Sequence, residues 1–299
     1  MVFEISKKDI EKNAVLCYTY LVPQGAKGVI TMKKNVDIII FSGQSNMQGQ
    51  TENVTEFEAV EGAFEYRLFA GGLVPMTRPA GEDIRYDGGE GYPYSKTVPI
   101  KDWLAAHVAG GPCLNSSNMT LAFAKAYIAA TGSDFVCTHV AKGSTEIKDW
   151  MPGTDGYAMI VKKAKAAIEA AGEKYEVGKI FVAWLQGESD SLMSRSREYY
   201  KEKITLLEES LRADLGIDKF GIIRIGKFMR DERDDEIHTA QNEICRENDH
   251  FLMLTDIATE LSDDPECLHP EMRGHFSVKG LSIIGAKAAE TLANYRKTL

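Results

Sequence analysis

Val36-Asp37-Ile38-Ile39-Ile40-Phe41 runs straight into Ser42-Gly43-Gln44-Ser45-Asn46-Met47, and the junction between them decides how the 299-residue chain is read. A short, almost wholly apolar and largely β-branched run that ends near a glycine is the pattern of a strand buried on both faces, as in a parallel sheet covered by helices. Gly43 lets the backbone turn abruptly after the strand, so that Ser45 stands where a helix begins and free amides point outward. A nucleophile needs that placement. In an arbitrary strand-Gly-x-Ser sequence such a serine is most often only a helix N-cap, so the assignment depends on what else the chain brings to the same place.

Outward from this junction, β-rich runs at 36–41, 135–140, 179–185, 221–225 and 250–254 alternate with helical periodicity at 119–130, 157–171, 197–215, 235–248 and 277–295. Alternation of this kind implies parallel strands joined by helical crossovers. The predicted fold is α/β: a three-layer α/β/α sandwich with a central, mainly parallel five-stranded sheet. Gly132 and Gly172 stop two of the helices and Ser277 caps the last. Residues 1–31 are expected to be an N-terminal extension, its alternation over 15–22 suggesting a strand or hairpin, ahead of a domain over 32–299. Within that domain, about 49–117 reads as a long loop insertion rich in Gly, Pro and Tyr, including Gly71-Gly72 and Gly88-Gly89-Glu90-Gly91-Tyr92-Pro93-Tyr94. Long irregular segments in compact domains are usually functional, and this one is expected to wall the substrate cleft.

The formal charge of -9 is wrong for a protein that wraps nucleic acid, and no apolar run approaches the length of a membrane span. Residues 1–10, with Glu4, Lys7, Lys8 and Asp9, do not read as a secretory signal, which leads to the expectation of a cytoplasmic protein. Cys17, Cys113, Cys137, Cys245 and Cys267 are odd in number and scattered, against both a disulfide framework and a zinc site. The acidic run Asp231-Glu232-Arg233-Asp234-Asp235 reads as a solvated approach to a helix, and no metal or other cofactor is expected. Met47 stands where a G-x-S-x-G elbow would have its second glycine, and the glycines at 88–91 follow no strand, so neither an α/β-hydrolase elbow nor a nucleotide loop is indicated.

Two further blocks follow strands: His139-Val140-Ala141-Lys142-Gly143-Ser144-Thr145 ahead of Trp150, and Trp184-Leu185-Gln186-Gly187-Glu188-Ser189-Asp190. With Gly43-Gln44-Ser45-Asn46-Met47 they resemble, in order, the blocks of the SGNH hydrolases, in the version found in carbohydrate esterases such as sialate O-acetylesterases and acetylxylan esterases. The resemblance implies that Ser45 is the nucleophile and that an oxyanion hole is built from the Ser45 and Gly143 amides and the Gln186 side chain; where the wider superfamily has an Asn, this chain has Ser189. It also implies that Gln44, Asn46 and Glu188 contact substrate or brace the Ser45 loop, although Glu188 also fits a solvated carboxylate. His275, heading His275-Phe276-Ser277-Val278-Lys279-Gly280 before the last helix, matches the family's histidine block better than His269, which no helix follows. His107, His139, His238 and His250 read as structural or surface residues. The usual D-x-x-H arrangement is broken, because Met272 stands in the Asp position; Glu271, or a main-chain carbonyl, is left to orient the ring. Gly274-His275-Phe276-Ser277 particularly resembles the sialate 9-O-acetylesterase branch, in which a Ser-His pair without that Asp is not alien.

The function expected from this resemblance is a serine esterase acting on O-acetylated carbohydrates, a small acetylated sugar such as a sialic acid ahead of polymeric xylan. The rivals are a catalytically silent carbohydrate-binding relative, suggested by Met272, and a lipid or thioester hydrolase on the same scaffold.

Overall fold

A computed structural model of the chain describes residues 33–54, 56–68, 70–81 and 117–299. The expected strand at 15–22, the glycines at 88–91 and His107 lie outside the described residues.

The decisive run forms β1 (Asn35–Gly43), followed at once by the short helix α1 (Ser45–Gln48). Val36 and Ile38 pack with Ala167 and Ala171, whereas Phe41 meets the Phe123 ring edge-on at 5.0 Å. These partners belong to α3 (Asp155–Lys174) and α2 (Thr120–Thr131), which cover opposite faces of the strand. Asp37 interrupts the apolar run yet is buried. It accepts from Tyr127 of α2, from the Lys179 amide and from Arg296, so one carboxylate ties three neighbouring segments to β1.

The sheet has seven strands, two more than expected. β2 (Ala63–Arg67) and β3 (Gly72–Pro75) form a hairpin at one edge, inside the segment read as irregular. β4 (Asp134–Ala141), β5 (Glu176–Leu185), β6 (Lys219–Ile223) and β7 (Phe251–Thr255) supply the rest, in the order β3-β2-β4-β1-β5-β6-β7, and only β3 runs antiparallel to its neighbour. Strands as short as β2 and β3 leave little periodicity, and Gly71-Gly72, which lies at their turn, reads locally as loop.

α4 (Glu188–Leu192), α5 (Arg197–Leu215), α6 (Glu232–Glu247), α7 (Ala258–Leu261) and α8 (Val278–Arg296) complete the described helices. Several boundaries differ from expectation. α3 runs through Gly172 to Lys174, β6 ends at Ile223 because the Ile225 amide turns to the Gln241 side chain, and α6 starts at Glu232 with Asp231 as its cap. Ser277 caps α8 as expected, and Glu52 adds a carboxylate at the Val278 amide. Among the described residues no helix is long and apolar enough to cross a membrane.

From β1 the chain passes through the β2–β3 hairpin to β4 on one side of β1 and then to β5 on the other. A crevice opens at such a switch point, beyond the carboxyl ends of the strands. Gly43 lies there with φ 150°, and a Cβ on it would come within 1.9 Å of the Leu185 carbonyl oxygen. Gly43→Ala therefore forces β1 and β5 apart; the expected loss is about 3 kcal/mol or more in urea unfolding, and a loss below about 1 kcal/mol would contradict this account of the contact.

Candidate active site

The carboxyl ends of β1, β4 and β5 are stitched together around Gly43. Its carbonyl accepts from the Lys142 amide at 3.0 Å, and the Gln44 amide donates to Leu185 O at 3.0 Å. Ser45 is the first residue of α1 and not its cap; Gln44 holds the cap position and makes no side-chain capping bond. The first amides of α1 are thus left without an intrahelical acceptor, and Ser45 itself is nearly buried.

Asn46 makes the connection that assembles the site. Its Nδ2 donates to Glu188 Oε1 at 2.8 Å and to Gly274 O at 3.1 Å, while its Oδ1 accepts from the Phe276 amide at 3.1 Å. Gly274 and Phe276 flank His275, so the residue beside Ser45 grips the histidine block by the peptides on either side of the imidazole. Gln44 holds the β5 loop in the same manner, its Oε1 accepting from the amides of Ser189 (3.1 Å) and Gly187 (3.4 Å). Gln44, Asn46 and Glu188 are all buried, so Glu188 is not a solvated carboxylate. Burial pushes its carboxyl up to about 7, against the lowering effect of the Asn46 hydrogen bond.

The His275 ring is oriented by a main-chain carbonyl. Its Nδ1 lies 3.1 Å from Arg273 O, and the buried Nε2 has no hydrogen-bond partner among the described residues. A carbonyl only accepts, so the proton sits on Nδ1 and Nε2 carries the lone pair. Burial lowers the basicity of the imidazole, with the Arg273 carbonyl opposing that shift. Glu271 does not fill the third role: it is exposed, and its amide, not its carboxylate, is engaged, at His269 Nδ1. Met272 leaves no acidic side chain in the usual place, and the carbonyl of the next residue reaches the ring directly. His269 is used by its own turn, and its Nδ1 also accepts from the Met272 amide.

Gly143 and Ser45 are brought together: a Cβ built on Gly143 would lie 3.3 Å from the Ser45 Cβ. The Gly143 amide donates at 2.9 Å to Oε1 of Gln48, a residue the sequence reading gave no role. Ser144, next in line, is held at φ 60°, an uncommon conformation for a residue with a side chain. Gln186 is placed differently from expectation. Its amide group donates to Asp190 Oδ2 at 2.5 Å and Thr145 O at 3.0 Å, with Gln44 Oε1 at 3.3 Å, so its two protons are committed to joining the glycine block to the β5 loop. Asp190 was likewise missed as an organiser. It also accepts from the Ile147 amide, and burial pushes its carboxyl up to about 6. The W-x-Q-G-E-x-D spacing carried both signals, but spacing alone does not say which way an amide faces.

Beside Gly143 a cavity of about 300 Å³ is lined by Lys142, Ser144, Thr145, Asp149, Trp150 and Asp155, among others. The remaining described histidines serve structure or surface: His139 bonds Met47 O, His238 bonds Gly226 O, and His250 is exposed. The acidic run holds its own helix start, with Asp231 capping α6 and buried Asp234 accepting from Ser191 and from the Met229 and Arg230 amides. Among the described residues no three His, Cys, Asp or Glu side chains are grouped as metal ligands.

A serine that follows the first central strand, a glycine block beside it and, through the Asn46 bonds, the histidine block ahead of the last helix meet at the carboxyl edge of a mainly parallel α/β sheet. Residues 35–294 match the model of the family described as carbohydrate esterase, sialic acid-specific acetylesterase, and the chain belongs to that family. A probable carbohydrate esterase of Arabidopsis thaliana, At4g34215, is 32% identical over 101 residues, a match spanning 34% of this chain and 37% of that relative. The crystal structure of the Arabidopsis AT4G34215 protein covers 88% of this chain and 98% of its own at 18% identity and TM-score 0.56. That of NanS covers 90% and 100% at 15% identity and TM-score 0.60. At these identities the two structures speak for the fold.

Two outcomes follow from the braces. Asn46→Ala strands the Phe276 amide and loosens His275; kcat of any hydrolysis that uses the histidine is expected to fall on the order of 100-fold, and an unchanged kcat would show that the clamp does not position the ring. Glu188 has a raised carboxyl in the folded state, so its contribution to stability is complete below the unfolded carboxylate range and is lost as pH rises through about 7. Glu188→Gln should therefore be more stable than the parent at pH 8, by about 1 to 3 kcal/mol, with that advantage shrinking towards pH 5; urea titrations at the two pH values measure it, and a pH-independent difference would refute it.

Proposed function

We propose that this chain is a serine esterase that removes O-acetyl groups from small carbohydrates, an O-acetylated sialic acid or a similar sugar, with Ser45 as nucleophile and His275 as base. The observation that carries the proposal is the Asn46 clamp, which ties both peptides flanking His275 to the helical turn that begins at Ser45. Family membership supports the carbohydrate acetyl ester as the substrate class.

In this reading Ser45 Oγ attacks the acetyl carbonyl carbon while His275 Nε2 takes its proton. Nε2 then delivers that proton to the departing sugar oxygen as the C–O bond breaks, leaving an acetyl-Ser45 ester. Water, deprotonated by the same nitrogen, attacks the acetyl group; acetate leaves and Ser45 regains its proton. The negative oxygen of each tetrahedral intermediate is taken up by the Ser45 and Gly143 amides, each donor contributing on the order of 3 kcal/mol. Gln186 supports this hole from behind through Thr145. The Arg273 carbonyl holds the ring in the tautomer the first step needs and supplies only a dipole to the imidazolium, where the family's Asp would supply a full charge. The sugar is assigned to the crevice bordered by the glycine block.

Acetate release from 4-nitrophenyl acetate and from a panel of O-acetylated sialic acids and acetylated xylan tests the proposal. Ser45→Ala and His275→Ala are each expected to lower kcat by about 1,000-fold or more. The acid limb of the kcat/KM profile is expected below the ordinary imidazole value of about 6.5, because burial keeps His275 neutral to lower pH. An inactive parent protein would point to a binding relative, and a marked preference for octanoyl over acetyl esters would remove the sugar deacetylase reading.

A further inference from the structure

His275 lies at one end of a short loop whose other end is His269. The two meet through the backbone: the His269 amide donates to His275 O at 2.8 Å, and Leu268 pairs antiparallel with Phe276. Between them the chain reverses over Pro270, Glu271, Met272, Arg273 and Gly274. The side chain of His269 is folded into that reversal, where its Nδ1 accepts from the Glu271 and Met272 amides, both at 3.0 Å. Two N–H groups converging on one ring nitrogen require that nitrogen to carry the lone pair, so the proton of this imidazole is on Nε2.

The carbonyls that hold His275 issue from this anchored segment. Met272 O accepts from the His275 amide at 3.2 Å, and Arg273 O lies 3.1 Å from the His275 ring. The two peptide planes that carry those carbonyls are flanked by planes that are held: on one side Asn46 bonds the Gly274 carbonyl, and on the other His269 accepts from the Met272 amide.

Resting on the reading of His275 as the base, we propose that His269 is a positioning residue for it: as a neutral Nε2–H imidazole, it holds the 271–273 turn so that a main-chain carbonyl orients the catalytic ring in place of the absent acid. The side chain does this through one acceptor atom, and an Asn carries an equivalent acceptor at the same distance from the backbone.

The full chain and its variants are assayed with 4-nitrophenyl acetate, and the imidazole nitrogens are examined by ¹⁵N NMR. His269→Ala is expected to lower kcat by about 10- to 100-fold with KM changed by less than about twofold. His269→Asn is expected to stay within about threefold of the parent, because its Oδ1 accepts the same two amides. The spectrum is expected to show His269 protonated on Nε2 and His275 on Nδ1. An alanine variant with the parent's kcat, an asparagine variant no better than alanine, or a His269 protonated on Nδ1 would overturn the proposal. If the alanine variant does not fold, His269→Gln replaces it, with its acceptor one bond too far out and the same loss of kcat expected. His275→Ala, measured alongside, separates the two claims: if it keeps full activity both fall, and if it is inactive while His269→Ala is not impaired, only the role of His269 falls.

Discussion

The side-chain amide of Asn46 is where two distant parts of the chain become one site. It stands one residue after the serine and reaches the peptides before and after the histidine, and its third partner is a carboxylate on the β5 loop. Hydrogen bonds of this kind contribute about 1 kcal/mol each when made and cost more when one partner is left buried and alone. The geometry is directional in a way that hydrophobic packing is not. Apolar contacts bring α8 against the sheet, but they do not select where His275 stops along the rim of the crevice. The amide does, because both of its ends are used and neither can be exchanged for the other.

Behind this clamp the site is organised by acids whose hydrogen bonds come from amides and not from cations. Glu188 and Asp190 are buried, each with one oxygen hydrogen-bonded and the other without a partner among the described residues. Their neighbours are amides: Asn46 for Glu188, and Gln186 with the Ile147 main chain for Asp190. Desolvation dominates over these bonds and keeps both carboxyls well above their ordinary range. The site thus retains two costly groups to hold three loops in register, which a purely apolar wall would not do with the same angular precision.

Much of this was legible in the sequence, for identifiable reasons. β1 announced itself because a strand covered on both faces must be apolar throughout, and Gly43 because no other residue fits against Leu185. The order of the three blocks located the crevice. The hairpin of β2 and β3 was hidden because each strand is short and lies at the sheet edge, where periodicity is weak. Gly172 misled because a glycine on an exposed helix face costs only about 1 kcal/mol and need not end the helix. The partner of His275 could not be identified by residue type at all. Every residue owns a carbonyl, so the choice of Arg273 O over the Glu271 carboxylate is written in the path of the backbone and not in any side chain.

Gln48 gives the crevice an occupant of its own. Its side-chain carbonyl lies where the Gly143 amide donates, so any ester that would use this amide must first displace a covalently tethered competitor. That toll is identical for every incoming molecule, whereas the compensation for it is not. A ligand with many contacts along the crevice meets it easily; a bare alkyl acetate has little to offer in exchange. Because the cost is common to all of them, it lowers every affinity by the same factor, and any selectivity comes from the remaining contacts along the crevice.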